Sequence, residues 1–201
     1  MRPRHTGSKG RRGYCLLELI FVLGVAGTLS AMATPQLLVT IDDARAVGAV
    51  RYVSTRLQQT RMEAVTRNVN VAMRFTLADG VYGFAVYRDG NGNGVLSRDI
   101  QRGVDAPVHA MERLPDQFTG IDFGALQGVP PADGSGSAPG TDPIRLGSSD
   151  MVSFTAVGTS TTGTLYIRGQ RNAQYAIVIF GETGKTRIVK YDAASHGWRT
   201  L

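Results

Sequence analysis

Residues 11–35 read RRGYCLLELIFVLGVAGTLSAMATP: a block of positive charge set against an apolar run that carries one carboxylate, Glu18, near its start. From Leu19 to Ile41 no residue is charged. That is about 23 residues, roughly 34 Å of helix, against a bilayer hydrocarbon core of about 30 Å. The stretch is long enough to cross a membrane. Arg2, Arg4, Lys9, Arg11 and Arg12 precede it with no acid among them. Lys and Arg concentrate on the cytoplasmic side of membrane segments, so the N-terminus is expected inside and the C-terminal bulk outside.

Several membrane addresses fit this much. Ala31-Met32-Ala33 is a small-x-small site, so a secretory signal would be cut after Ala33 and release a soluble domain. Arg11-Arg12 loosely matches a twin-arginine export signal. A lipid-anchored Cys15 fits less well, because the apolar run follows the cysteine rather than preceding it. A plain uncleaved anchor would leave Glu18 accidental. None of these uses Gly13 or Glu18, yet a charge within the membrane costs about 2.5 to 3.5 kcal/mol on insertion scales and marks a functional site by default.

Gly13-Tyr14-Cys15-Leu16-Leu17-Glu18-Leu19 resembles the type IV prepilin signal, in which a glycine, an aromatic, a small residue and two aliphatics precede a glutamate. Tyr14 stands where phenylalanine is usual, and Cys15 where threonine is usual. The resemblance implies cleavage after Gly13 by a prepilin peptidase and methylation of the new amine on Tyr14. It also implies a helix kink at Pro35 and an assembly role for Glu18, whose carboxylate would neutralise the Tyr14 amine of a neighbouring subunit. Two buried charges would become one pair. Removing one partner of such a pair costs about 3 to 5 kcal/mol, which makes the contact a selector of subunit register. The implied location is the bacterial inner membrane, single-pass, with a periplasmic C-terminal domain that enters a pilus or pseudopilus. The implied partners are other pilins or pseudopilins, the peptidase and an inner-membrane assembly platform.

The whole chain is +6, but the leader carries several positive charges and no acid, so the remainder is close to neutral. The pI therefore says little about nucleic acid. Within the remainder, acids outnumber bases over 68–150 and bases outnumber acids over 151–201. The single cysteine lies in the membrane segment, which leaves no intramolecular disulfide for the exported part.

Beyond the span, Ile41, Ala44, Val47, Val50, Val53, Leu57, Ala64 and Val65 recur at helical spacing, with Arg45, Arg51, Arg56 and Arg61 mainly between them. Asp42 and Asp43 stand near the start of this exposed part. One helix over 14–67 is expected, with 14–41 in the membrane or filament core. Short β-branched and aromatic runs follow at 71–77, 82–88, 108–114, 118–123, 152–156, 164–168, 174–180 and 186–191. Residues 125–149 are dense in Gly, Pro and Ser and read as a mobile surface loop. The expected organisation is a leader over 1–13, the long helix, and one periplasmic β-rich domain over 68–201. The fold class is α+β, a long N-terminal helix packed on a C-terminal antiparallel sheet domain.

Residues 57–68 (LQQTRMEAVTRN), the turn RDGNGNG at 88–94, Val152-Ser153-Phe154-Thr155 with Gly158, and Gly184-Lys185-Thr186-Arg187 together resemble the GspH/FimT family of minor pseudopilins. That resemblance implies a minor pseudopilin of a type II secretion system, which would initiate or cap a periplasmic pseudopilus. The alternative it carries is a FimT-like minor type IV pilin that binds DNA during uptake through Lys185, Arg187 and Lys190, with Arg168, Arg171 and Arg199 extending the patch.

Asp89, Asn91, Asn93 and Gly94 match the first half of a calcium loop, with Asp99 as a further ligand. Ile100 occupies the place of the bidentate glutamate, and the same Asn/Gly alternation builds plain turns. No cofactor motif is present. His109 and His196 are isolated in sequence, and no nucleophile elbow, zinc-protease motif or phosphate loop is found, so a non-enzymatic protein is expected.

Overall fold

The computed structural model describes residues 15–135 and 137–201. Helix α1 spans Leu16–Arg67 and passes through Pro35 without interruption of the element. It is shared between two compact units, Met1–Leu38 and Val39–Leu201. In the first unit every described side chain is exposed, and Glu18 is the only charge among them. The apolar surface of this half finds no cover within its own unit.

In the second unit α1 buries Asp42, Ala46, Ala49, Val50, Val53, Leu57, Thr60 and Ala64. The spacing of three and four residues keeps these on one face. The buried stripe differs in part from the expected one: Ala46 and Ala49 are fully buried, Val47 packs on the core's edge as expected, Ala44, Ile41 and Val65 are exposed, and Asp42 joins the core side. Small residues permit close approach here. A Cβ on Gly48 would lie 3.0 Å from the Phe118 ring. The helix stops at Asn68, which takes a left-handed φ of 52°. The amide of Asn68 bonds the Val65 carbonyl at 3.3 Å, and that of Val69 bonds Ala64 at 3.1 Å, which satisfies two end carbonyls.

The strands and short helices then run in chain order: β1 (Val71–Ala78), β2 (Val81–Arg88), α2 (Ser97–Gln101), β3 (Ala106–Pro107), β4 (Glu112–Arg113), α3 (Leu114–Gln117), β5 (Asp122–Phe123), β6 (Ile144–Arg145), β7 (Met151–Phe154), β8 (Gly163–Arg168), β9 (Gln174–Phe180), β10 (Lys185–Asp192) and β11 (Gly197–Thr200). They form two antiparallel sheets, β3-β2-β1-β7 with β4 also on β2, and β11-β10-β9-β8-β5 with β6 also on β8. The fold is α+β, as expected.

Both sheets turn one face to the core that α1 closes. Met73 and Phe75 of β1, Phe84 of β2, Leu165 and Ile167 of β8, and Tyr175, Ile177 and Ile179 of β9 share one cluster with the α1 stripe. The alternation within each strand sets this face. Phe123 packs edge-on against Phe75 at 5.3 Å and Phe84 at 6.2 Å. Such pairs add about 0.5 to 1.5 kcal/mol each beyond their burial.

Three expectations change on this scaffold. The expected strand over 108–114 contracts to β4, and α3 starts directly after it with Pro115 in its first turn, where a missing N–H is harmless. The expected strand over 118–123 likewise contracts to β5, after a turn at Gly120 with φ 82°. Residues 125–149, expected as a mobile surface loop, bury Val129, Ala132, Ile144 and Leu146 and contribute β6. Part of this segment covers the outer face of the second sheet, where Tyr166, Ala176, Val178 and Val189 pack with Ala132 and Trp198. The indole of Trp198 donates to the Pro130 carbonyl at 3.0 Å, and the Ala132 amide donates to the Tyr166 hydroxyl at 3.0 Å.

Candidate functional site

Gly13 and Tyr14, the expected cleavage and methylation positions, lie outside the described residues. Glu18 sits in the first turn of α1 and is exposed, flanked on its helix only by uncharged side chains. A carboxylate there is favoured by the unpaired N–H groups and positive dipole of the helix start.

The acids just past the apolar run are structural in a way the sequence did not disclose. Asp42 is 8% exposed, and its carboxylate accepts the backbone N–H groups of Gln170 at 3.0 Å and Arg171 at 3.1 Å. Gly169 is required beside it, since an added Cβ would lie 2.7 Å from the Asp42 carboxyl carbon. Asp43 accepts the Tyr175 hydroxyl at 2.7 Å and the Lys190 ammonium at 2.8 Å. Burial, and then the bond to Asp43, push the Tyr175 phenol well above its ordinary pKa and keep it a neutral donor.

Further along α1, Arg56 pairs with Glu112, which also accepts the Tyr52 hydroxyl. This ties β4 to the helix. Burial first, then the bond to Glu112, raise the Tyr52 pKa. Arg61 donates to the Gly158 carbonyl at 2.9 Å, and Gly158 and Gly184 both take positive φ beside its guanidinium. Residues of the Arg-rich helix face thus serve as clamps on the sheets.

The proposed DNA-contacting residues do not form one patch. Lys185 and Arg187 are exposed and alternate on one face of β10, and Arg187 stands 5.3 Å from the Phe180 ring. The intervening Thr186 faces α1, meeting Ser54 at 3.0 Å and Gln58 at 3.2 Å. Lys190 shares that inner face and is committed to Asp43. Arg199 pairs with Asp192. Arg168, beside Asp122, and Arg171 belong to the β8–β9 hairpin. Burial raises the Asp122 pKa despite the Phe123 amide and Arg168, which pull it down.

The turn at Asp89 is organised by nitrogen donors. Asp89 accepts the amides of Asn91 at 3.2 Å, Gly92 at 2.7 Å and Gly94 at 2.7 Å, together with the Asn70 side chain at 3.0 Å. Burial opposes the charged form, but these bonds outweigh it and hold the Asp89 carboxyl below its usual range. Asp99 accepts the side-chain amides of Asn91 at 3.5 Å and Asn93 at 3.1 Å. Asp105, fully buried, accepts the amides of Gly90 and Leu96. The Asp89, Asn91 and Asp99 oxygens of the calcium reading accept N–H groups, and Asp105, absent from the sequence reading, completes the turn.

A long helix, apolar and uncovered in its first half and clamped to antiparallel sheets in its second, defines a pilin-like architecture. The family model described as Type II transport protein GspH matches residues 49–184, and the chain belongs to that family. Over 83 residues it is 35% identical to the Pilin-like protein PilA1 of Thermus thermophilus, an alignment covering 41% of this chain and 51% of that protein. The chain thus spans about half the length of that relative. Among solved structures, the minor pseudopilin EpsH from the type 2 secretion system of Vibrio cholerae is similar at a TM-score of 0.39 and 12% identity, covering 77% of this chain and 94% of that one. A second crystal structure of EpsH matches at a TM-score of 0.38.

Proposed function

We propose that the chain is a minor pseudopilin of a type II secretion system, a non-catalytic subunit that helps initiate or cap a periplasmic pseudopilus. The observation that carries this reading is the first half of α1: its apolar side chains are all exposed, and Glu18 is its only charge. Joined to a domain of the GspH family, such a surface calls for lipid before assembly and for neighbouring helices after it. In this reading the peptidase cuts after Gly13, Tyr14 receives the methyl group, and the Glu18 carboxylate meets the Tyr14 amine of a neighbour.

Glu18→Ala tests it. The variant should be processed and held in the membrane, yet fail to crosslink with neighbouring pseudopilins. Wild-type crosslinking yields would overturn the role of Glu18.

A further inference from the structure

The membrane-anchored reading of α1, on which this inference rests, puts the bilayer boundary at Ile41, the last residue of the uncharged run. Asp42 is the next residue, so whatever is bound to Asp42 lies at the membrane surface by chain continuity alone. The headgroup layer beyond the hydrocarbon is about 5 to 7 Å thick on each side.

The tip of the β8–β9 hairpin is held there, through the amides of Gln170 and Arg171 on Asp42. Arg45 lies on α1 about one turn beyond Asp42, roughly 4.5 Å along the axis. The acids of this end are already answered. Asp42 is buried against backbone amides, Asp43 is paired with Lys190, Asp192 with Arg199, and Asp122 lies beside Arg168. What remains is positive: Arg45 and Arg171 are exposed and enter no ion pair among the described residues.

We propose that Arg45 and Arg171 bind the phosphates of anionic phospholipid and hold the domain against the bilayer before the subunit is drawn into a filament. The guanidinium fork suits a phosphate, and a headgroup layer of this thickness is within an arginine's reach from Asp42.

The test uses the full chain with Cys15→Ser and a fluorophore on Asn172→Cys, at the exposed hairpin tip. It is reconstituted in vesicles of phosphatidylcholine alone or with phosphatidylglycerol added. Quenching by nitroxide-headgroup lipid reads the approach of the tip to the surface, and resistance to alkaline extraction reads insertion separately. Phosphatidylglycerol should raise the ratio of surface-bound to free tip about 25-fold, roughly fivefold for each arginine. Added salt, or Arg45→Gln with Arg171→Gln, should return it to the phosphatidylcholine level, whereas Lys185→Gln with Arg187→Gln should not. Equal quenching in the two lipids, or a rise that survives the double substitution, overturns the proposal while the anchor stands. A chain extracted by alkali from both vesicles overturns the anchor itself and the proposal with it.

Discussion

Lys190 and Asp43 are 147 residues apart in sequence and meet at 2.8 Å, so that the end of β10 is fastened to α1 just past the apolar run. Tyr175 shares the same carboxylate and lies beneath the lysine, whose ammonium is 5.5 Å from its ring. Lys190 therefore serves the fold and not a free basic surface. With its side chain 43% exposed the ion pair is screened, and Lys190→Gln should lower stability by less than about 1 kcal/mol. Asp43→Ala should cost more, because it strands the buried Tyr175 hydroxyl as well. Thermal unfolding of the detergent-solubilised chain measures both. Equal losses would separate Tyr175 from this contact.

Asp42 gives a sharper test, since its carboxylate satisfies two backbone amides in a site that water does not reach freely. Asp42→Ala should destabilise by about 2 kcal/mol, the loss of two hydrogen bonds to a charged, largely buried acceptor. Gly169→Ala should be comparably harmful for a steric reason, the new Cβ falling on the Asp42 carboxyl group. The two changes remove the same contact, so the double variant should lose much less than the sum. Additive losses would show that the hairpin and helix are held independently.

The long helix, the α+β class and the longer strands were legible because each rests on a periodicity that burial enforces. The uncharged run over 19–41, the helical spacing of Val50, Val53 and Leu57, and the β-branched run over 174–180 are of this kind. Asp42 was not legible. Its partners are backbone amides of a distant hairpin, and nothing in residues 169–171 advertises an anion site. In residues 125–149 the Gly, Pro and Ser content reports the lack of regular backbone pairing but not the burial of Val129, Ala132 and Leu146. Proximity in sequence groups Lys190 with Lys185 and Arg187, although the strand period of two puts it on the opposite face from both.

Processing supplies a direct check on the N-terminal reading. Mass spectrometry of the protein recovered from membranes should find a mature chain beginning at N-methylated Tyr14. A chain beginning at Thr34 would replace the pilin signal with an ordinary secretory one.

The DNA-binding alternative now rests on Lys185 and Arg187, the two residues of that set exposed on one face of β10. If both neutralise phosphates of a duplex, log K should fall with log salt at a slope of about −1.8, at roughly −0.9 for each contact. Lys185→Gln with Arg187→Gln should abolish that slope, and Lys190→Gln should leave it unchanged. A filter-binding titration of the full chain against random duplex distinguishes these outcomes. A slope that depends on Lys190 would require the Asp43 pair to open on binding.

The Asp89 turn predicts a pH dependence with a definite sign. Its folded carboxyl is held below the ordinary value of 3.8, so the unfolded chain takes up the proton first as pH falls. The contribution of Asp89 is fully present above that ordinary value and is lost as pH falls through the folded one. Asp122 and Asp150 work the other way: burial is the leading cause of the raised pKa of each, helped at Asp150 by neighbouring Asp142. They favour the protonated folded state, and their effect offsets part of the acid loss. The contribution of Asp89 is therefore best isolated by difference. Asp89→Asn keeps the size of the side chain but removes the charge and one acceptor oxygen. It should cost about 1 to 3 kcal/mol at neutral pH, where a charged acceptor of three backbone amides is lost. The gap between wild type and variant should narrow steadily below pH 3.8. Denaturant melts of both proteins across the acid range measure that gap, and a gap independent of pH would mean that Asp89 acts through its shape alone.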